Sequence, residues 1–336
     1  MAVFTTVTVP DAQTLSTRLG LGEVTALQGI AGGIENTNYF LSTTQGDWVL
    51  TLFERLNHAQ LPFYLELMRH LAHHGVVVPD PQPDADGALV HSLCGKPAAV
   101  VTRLQGRSEL APQVAHCQQL GLQLAHMHLA SRGFALHQPN LRGLSWWAPT
   151  VAEVTPLLQA AGENDMAALL ADELAWLSQM YASSDAAALP QGAVHCDLFR
   201  DNAMFVQASD GPRLSGFFDF YFAGVDALMF DLAVCINDWC IDLATGELDG
   251  ERLDALVSHY QMVRPLDAVE LRLLPALLRA AAFRFWLSRL WDWHLPREAS
   301  VLKPHDPRHF ERIVRLRRAQ MDAVAERLAA AVAQEA

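Results

Sequence analysis

Lysine is almost missing from this 336-residue chain: only Lys96 and Lys303 occur, and every other basic residue is arginine. Basic charge is short altogether, with 24 Lys and Arg against 37 Asp and Glu and a formal net charge of −13. That balance argues against nucleic acid as a partner, because binding to a phosphate backbone depends on clustered cations. Cysteine is sparse and unpatterned. Cys94, Cys117, Cys196, Cys235 and Cys240 form no C-x-x-C pair and no zinc spacing, and their odd number fits reduced thiols in a cytoplasmic protein. The opening MAVFTTVTVPDAQ has neither a basic start nor an apolar segment, so no signal peptide is expected. The longest run without Asp, Glu, Lys or Arg, Leu110 to Ser131, holds four Gln and three His and is too polar to span a bilayer. Internal repeats and low-complexity stretches are also absent, apart from Ala-rich helical segments.

What is present is ample core material, 51% hydrophobic, in a chain longer than one typical core, so two lobes are expected. After a helix near Asp11 to Leu19, Glu23 to Glu54 reads as strands around a central turn, GIAGGIENTNYFLST, and Trp48 to Phe53 as the strand that follows. Leu61, Leu65, Met68 and Leu71 recur at helical spacing with Gly75 as the stop, predicting an amphipathic helix over His58 to His74. Strands follow around Ala88 to Leu93 and Pro97 to Leu104, and Gln105, Gly106 and Arg107 mark a hinge. Beyond it helices dominate. Val114, Cys117, Leu120, Leu124 and Met127 share one face, and Ala152 to Tyr181, Asp231 to Leu243, Arg252 to Met262, Asp267 to Trp293 and Phe310 to Ala331 all carry helical periodicity.

Within the second part, GAVHCDLFRDNAMF and LSGFFDFYFAG set His195, Asp197 and Asn202 in an H-x-D-x-x-x-x-N arrangement and place Asp219 after the apolar run Leu214 to Phe218. Phosphoryl transfer explains that spacing. A hydroxyl attacking the γ-phosphate of ATP needs an acceptor for its proton and an orienting group, and the carboxylate of Asp197 can be both. Mg²⁺ wants oxygen ligands, which the Asn202 amide and the Asp219 carboxylate supply. Ala203 to Val206 and Leu214 to Phe218 read as a hairpin returning Asp219 to the metal. His195 is expected to brace the loop rather than carry a proton. Cys196, inside the loop, reads as a small buried filler, although its modification could block activity.

A strand-rich lobe, a hinge and a helical lobe carrying this loop describe an α+β, two-lobed, protein-kinase-like fold: a small antiparallel-sheet lobe over residues 1–104 and a larger helical lobe over 105–336. Nucleotide is then expected in the cleft between the lobes, near Val101 to Leu104 and Arg103. The turn with Gly32, Gly33 and Asn36 is either a flap whose N–H groups cover phosphates or a plain Gly-Gly hairpin. A protein kinase is disfavoured, since Asp219-Phe220-Tyr221 stands where D-F-G would be and no A-P-E element follows.

The phrases GIENTNYFL, WVLTLFERL, LPFYLELMRHLAHHG, GKPAAVVTRLQG, HCDLFRDN, FFDFYFAG, FDLAVCINDWC and FRFWLSRLWDWHLPR together resemble the bacterial homoserine kinases of the aminoglycoside-phosphotransferase-like group, over nearly the whole chain. The resemblance implies ATP- and Mg²⁺-dependent phosphorylation of the L-homoserine hydroxyl, a step of threonine biosynthesis. It implies Asp197 as catalytic base, Asn202 and Asp219 as metal ligands, and Asp231, in FDLA, as the residue supporting the catalytic loop. Two alternatives stay open: another small-molecule kinase of this fold, acting on an aminoglycoside, choline or a sugar-amine, and a nucleotide-binding regulator without catalysis.

One position departs from many related kinases. Where their third strand carries a Lys or Arg that grips phosphate and pairs with a helix Glu, the place Glu66 would fill, this chain has Thr51. Arg55 is the candidate substitute cation, its alternative being a solvated strand end. The homoserine carboxylate calls for a bidentate donor and its ammonium for an acid. Arg200, inside the catalytic loop, is the first candidate donor, with Arg284 and Arg289 as further options, and Asp238 is the candidate acid. Ion pairs between helices are their alternative. Oligomeric state is not legible in the sequence.

Overall fold

In the computed structural model, which describes residues 3–31, 36–295 and 304–333, the chain divides into two compact units, Met1–Gly106 with Ser215–Phe218, and Arg107–Leu214 with Asp219–Ala336. The first unit starts with α1 (Val9–Arg18), closed at its N-terminus by a capping box in which the Thr8 hydroxyl accepts from Asp11 N and the Asp11 carboxylate accepts from Thr8 N. Strands β1 (Val24–Gly29), β2 (Asn36–Thr43) and β3 (Gly46–Phe53) follow, then α2 (Pro62–His73), β4 (His91–Leu93) and β5 (Lys96–Thr102). The five strands form one sheet in the order β1-β2-β3-β5-β4, every neighbouring pair antiparallel.

Alternation explains the sheet. Thr37, Tyr39, Leu41 and Thr43 of β2 are buried while the residues between them are half-buried. Tyr39, Leu41, Leu50, Leu52, Ala98 and Val100 pack with Ala12 and Leu15 of α1 in one core cluster. The β4–β5 hairpin turns on Cys94 and Gly95, both at positive φ (50° and 76°), the requirement of a type I′ turn. Helix α2 starts at Pro62, later than the expected His58; Leu61, which caps it, and Leu65, Met68 and Leu71 along it are buried as their spacing predicts, and Gly75 follows at φ 82°.

The second unit contains α3 (Val114–Ala130), α4 (Leu144–Ala160), α5 (Asn164–Tyr181), α6 (Ser184–Ala188), β6 (Gln191–Val194), β7 (Ala203–Ala208), β8 (Gly211–Phe217, whose last three residues group with the first unit), β9 (Gly224–Ala227), α7 (Leu228–Trp239), α8 (Gly250–Val263), α9 (Ala268–His294), α10 (Arg308–Ala319) and α11 (Met321–Ala333). β6 pairs antiparallel with β9, and β7 with β8. Two expected long helices are each divided. Ala152 to Tyr181 breaks between α4 and α5, where Gly162 takes φ 80° and ends the hydrogen-bonded run. Phe310 to Ala331 breaks at Gln320.

Burial is most complete around α7, eleven of whose twelve residues are buried, so its polar side chains must find partners inside the protein. α3 and α8 lie backbone to backbone at Gly121, where a Cβ would come within 2.2 Å of the Leu256 carbonyl oxygen. No helix among the described residues is long and apolar enough to cross a membrane.

Candidate active site

Strand β6 leads directly into the loop His195 to Asn202, and α7 clamps that loop at successive points. Asp231, in the first turn of α7 and fully buried, accepts the backbone N–H of His195 on Oδ2 and that of Cys196 on Oδ1, each at 2.7 Å. Trp239 Nε1 donates to the Leu198 carbonyl at 3.0 Å. Asp238 Oδ2 accepts from Arg200 N at 2.8 Å. Cys196 sits at φ 63°, a conformation costing a residue with a β-carbon on the order of 1–3 kcal/mol, which the two short bonds to Asp231 offset. The loop thereby turns sharply between His195 and Asp197.

Asp231 is itself held from behind. His128 Nε2, on α3, lies 3.3 Å from Asp231 Oδ2, and His128 Nδ1 lies 2.7 Å from the Tyr260 hydroxyl on α8. Arg264 Nη1 donates to that hydroxyl at 3.2 Å and Nη2 to Glu270 at 2.6 Å. Burial pushes the His128 pKa down, with Asp231 opposing, so the imidazole is neutral near pH 7. Burial pushes the Asp231 carboxyl up, but the His128 bond and the backbone N–H bring it below its ordinary value. The consistent assignment is a donor chain from Arg264 to Tyr260 to His128 to the Asp231 carboxylate. His128 and Tyr260 escaped the sequence reading, and the one available signal was a polar residue on the buried face of α3.

Asp197 and Asn202 come together. Asn202 Nδ2 donates to the Asp197 carbonyl at 2.8 Å and lies 3.4 Å from Asp197 Oδ2, which turns the Asn202 amide oxygen to the other side. Asn202 precedes β7 and Asp219 follows β8. The strands are joined by Ser209 and Asp210 and run antiparallel, so one end of the hairpin carries both residues. Asp219 adopts φ 67°, ψ 56°, a left-handed conformation that Asp tolerates, and opens the 3₁₀ turn Phe220–Phe222. His195 is fully buried, its ring 4.5 Å from that of Phe220, and its Nδ1 accepts from Asp197 N at 3.3 Å.

Arg200 and Asp238 are brought together with each other. Arg200 Nε donates to Asp238 Oδ2 at 3.0 Å, Nη1 to the Leu110 carbonyl at 3.0 Å, and Nη2 to the Asp238 carbonyl. This ion pair ties both residues to the loop. Arg284, on α9, is only 3% exposed and places Nη1 3.5 Å from Asp197 Oδ1. Arg289 lies over Phe310 at 4.5 Å from the ring centre. Burial draws its pKa down to about 10, with Asp238, Asp306 and Asp197 opposing.

The residues singled out for nucleotide lie in the first unit. Gly32 and Gly33 lie outside the described residues. Asn36 opens β2 opposite Phe53. Val101 is buried in β5 opposite Val49. The Arg103 guanidinium stacks on Phe40 at 3.9 Å, and Arg55 is exposed in the bend after β3. Thr51 is buried and donates to Asn38 Oδ1 at 2.7 Å. Glu66 is exposed on α2. Lys96, the one lysine among the described residues, pairs at 3.1 Å with Glu54, which also accepts from Thr5 and Thr37.

Beside this loop, His309 supplies a pH prediction. Burial, with Arg289, Arg312 and Arg200 adding to it and Asp306 opposing, lowers its pKa from 6.5 to about 4. The unfolded chain therefore binds a proton there between pH 6.5 and 4 that the folded chain refuses, and stability falls as pH falls through that window. Urea titrations at pH 7, 6 and 5 are expected to show this loss, and His309→Gln to reduce it. A residual slope belongs to His91, His116 and His128, whose pKa values burial also lowers.

A sequence model of the phosphotransferase enzyme family matches residues 26–266. A homoserine kinase of Paraburkholderia xenovorans is 57% identical over 321 residues, 94% of this chain and 96% of that protein. One of Polaromonas naphthalenivorans is 56% identical over 317 residues, 94% of this chain and 98% of that protein. Among solved structures, an aminoglycoside phosphotransferase of Alicyclobacillus acidocaldarius superposes with a TM-score of 0.66 at 15% identity, covering 98% of each chain. A spectinomycin phosphotransferase solved with ADP and spectinomycin gives 0.62 at 13% identity, covering 97% of this chain and 99% of that one. The likeness to these structures identifies the fold as protein-kinase-like, the α+β class expected from the strand-rich and helical halves of the sequence. With the family model spanning well over half of the chain and such identity running nearly from end to end, this chain belongs to the phosphotransferase enzyme family, in its homoserine kinase branch.

Proposed function

We propose that this chain transfers the γ-phosphoryl group of ATP to the side-chain hydroxyl of L-homoserine, giving O-phospho-L-homoserine and ADP, a step of threonine biosynthesis carried out in the cytoplasm. The observation that carries the reading is the clamped loop: Asp197 is presented beside Asn202 by a turn that buried Asp231 holds at two backbone N–H groups, in a chain whose relatives at 56–57% identity are homoserine kinases. The acceptor hydroxyl donates its hydrogen bond to Asp197. Its oxygen attacks the γ-phosphorus, the bond from that phosphorus to the bridging β-γ oxygen breaks, and Asp197 takes the proton.

The donor set fits Mg²⁺, a hard cation bound through one or two protein oxygens plus substrate phosphates and water. The Asn202 amide oxygen, turned away from Asp197, and the Asp219 carboxylate would hold it. When bound, the cation neutralises charge on the phosphates. His195 and Asp231 act as supports: one packs under Asp197 N, the other fixes the turn.

The first unit is proposed to hold the nucleotide, through the backbone around Gly32, Gly33 and Asn36, through β5 near Val101 and Arg103, and through Arg55 as phosphate cation. Thr51 is already engaged with Asn38 and carries no charge. Arg55→Ala is accordingly expected to raise KM for ATP about tenfold, equivalent to ~1.4 kcal/mol, and Thr51→Ala to stay near wild type. A silent Arg55→Ala removes Arg55 from the site.

Product analysis tests the whole reading. Incubation with ATP, Mg²⁺ and L-homoserine should yield O-phosphohomoserine and stoichiometric ADP. ADP release with an aminoglycoside, choline or a sugar-amine, and none with homoserine, would transfer the assignment to another acceptor. ATP binding with no ADP from any acceptor would favour a regulator.

A further inference from the structure

An arginine in the middle of α9 is out of place by composition. Its neighbours Phe283, Phe285, Trp286 and Leu287 are buried, and Arg284 is buried with them at 3% exposure. A guanidinium there is costly unless its donors are used. Its plane is fixed by aromatic rings, with Cζ 3.8 Å from the centre of Phe285 and 5.3 Å from that of Phe222. Yet the contact to Asp197 Oδ1, at 3.5 Å, is longer than a charge-assisted hydrogen bond, and Nε is buried with no hydrogen-bond partner among the described residues. The fork is held rigid and left under-satisfied.

Position says what it awaits. The two oxygens of Asp197 face different ways: Oδ2 toward Asn202, the side read as metal and phosphate, and Oδ1 toward Arg284. We infer that Arg284 anchors the acceptor's α-carboxylate: a hydroxy amino acid with its hydroxyl on Asp197 lays its carboxylate against this guanidinium, on the side of Asp197 away from Asn202. In an extended homoserine the carboxylate carbon lies about 5 Å from the hydroxyl oxygen, a span set by three C–C bonds and one C–O bond. That reach suits groups as close as Asp197 and Arg284. The assignment rests on the homoserine reading and adds the residue that selects for it. An acceptor lacking a carboxylate leaves a buried cation without its partner, which is discrimination by an unpaired charge.

The experiment compares L-homoserine with L-homoserine amide, which keeps the hydroxyl and amine and removes the carboxylate charge. Wild-type enzyme should lose at least ~10²-fold in kcat/KM on the amide, the scale on which a site built for a polar group rejects an analogue lacking it. Arg284→Gln should lose a similar factor on homoserine, keep KM for ATP within about threefold of wild type, an energy of roughly 0.7 kcal/mol, and treat acid and amide alike. Arg284→Lys, which keeps charge without the fork, should fall between. If Arg284→Gln is unfolded, judged by circular dichroism and by loss of thermal stabilisation by ATP, Arg284→Lys carries the comparison. A folded variant that still prefers the acid as strongly as wild type overturns the inference, as does an equal loss of kcat on both acceptors, which would mark a contact to the transferring phosphoryl group. Equal use of acid and amide by wild type overturns this inference alone. Turnover of neither overturns it together with the homoserine reading.

Discussion

Asp197→Ala is expected to lower kcat by ~10²–10⁴-fold, the usual contribution of a positioned base, with little change in KM for ATP. The expectation follows from where the carboxylate is held. Its side chain is 17% exposed, enough to meet a substrate hydroxyl, while Arg284 and Asn202 contact its two oxygens from different sides and set its direction. Alanine also strips the buried Arg284 of its contact acid, so part of any loss could come from destabilisation. Asp197→Asn separates the two effects. The amide keeps the shape and an oxygen toward Arg284 but accepts no proton at neutral pH, so it should be as inactive as alanine and closer to wild type in thermal midpoint. Steady-state rates with ATP and homoserine, beside melts of all three proteins, decide it. Retained turnover in either folded variant would remove Asp197 from the chemistry.

Asp231→Asn should be the more damaging change to the molecule as a whole. The native carboxylate faces three N–H donors, from His195, Cys196 and His128. An asparagine offers one oxygen and turns an NH₂ toward the remainder, so at least one buried donor is left facing another. A destabilisation of about 2–5 kcal/mol follows from unsatisfied buried groups near a charge. For domains of this size each kcal/mol moves the midpoint by about 2–4 °C, which predicts a fall on the order of 10 °C. Turnover at 25 °C should fall as well, because Cys196 keeps its left-handed conformation only while Asp231 holds both amides. Differential scanning calorimetry and initial rates measure the two losses. A variant as stable and as active as wild type would show that the turn is held by other contacts.

Particular residues show how far the sequence could be read. Leu61, Leu65, Met68 and Leu71, and Cys117, Leu120, Leu124 and Met127, are buried where helical spacing put them, because a helix face is set by residues three and four apart. The hairpin after Asn202 was legible for the same local reason. β6 and β9 were not: each is four residues long, and each exists through pairing with a segment some thirty residues away. Arg200 stood first among the candidate donors in the sequence, because it lies inside the loop, with Arg284 and Arg289 behind it as further options. Tertiary packing separated them, giving Arg200 to Asp238, laying Arg289 on Phe310 and leaving Arg284 beside Asp197.

The sequence by itself determined the division into a strand-rich and a helical part, the spacing of Asp197, Asn202 and Asp219, and the chemistry those side chains allow, because each is a property of neighbours along the backbone. Only the tertiary structure decided which buried charges meet, that His128, Tyr260, Arg264 and Glu270 stand behind Asp231, and that Arg284, beside Asp197, keeps its Nε donor unmet among the described residues. The reason is physical. Removing a charge from water makes its stability depend on whatever residue lies within a few ångströms, and that residue comes from a different part of the chain.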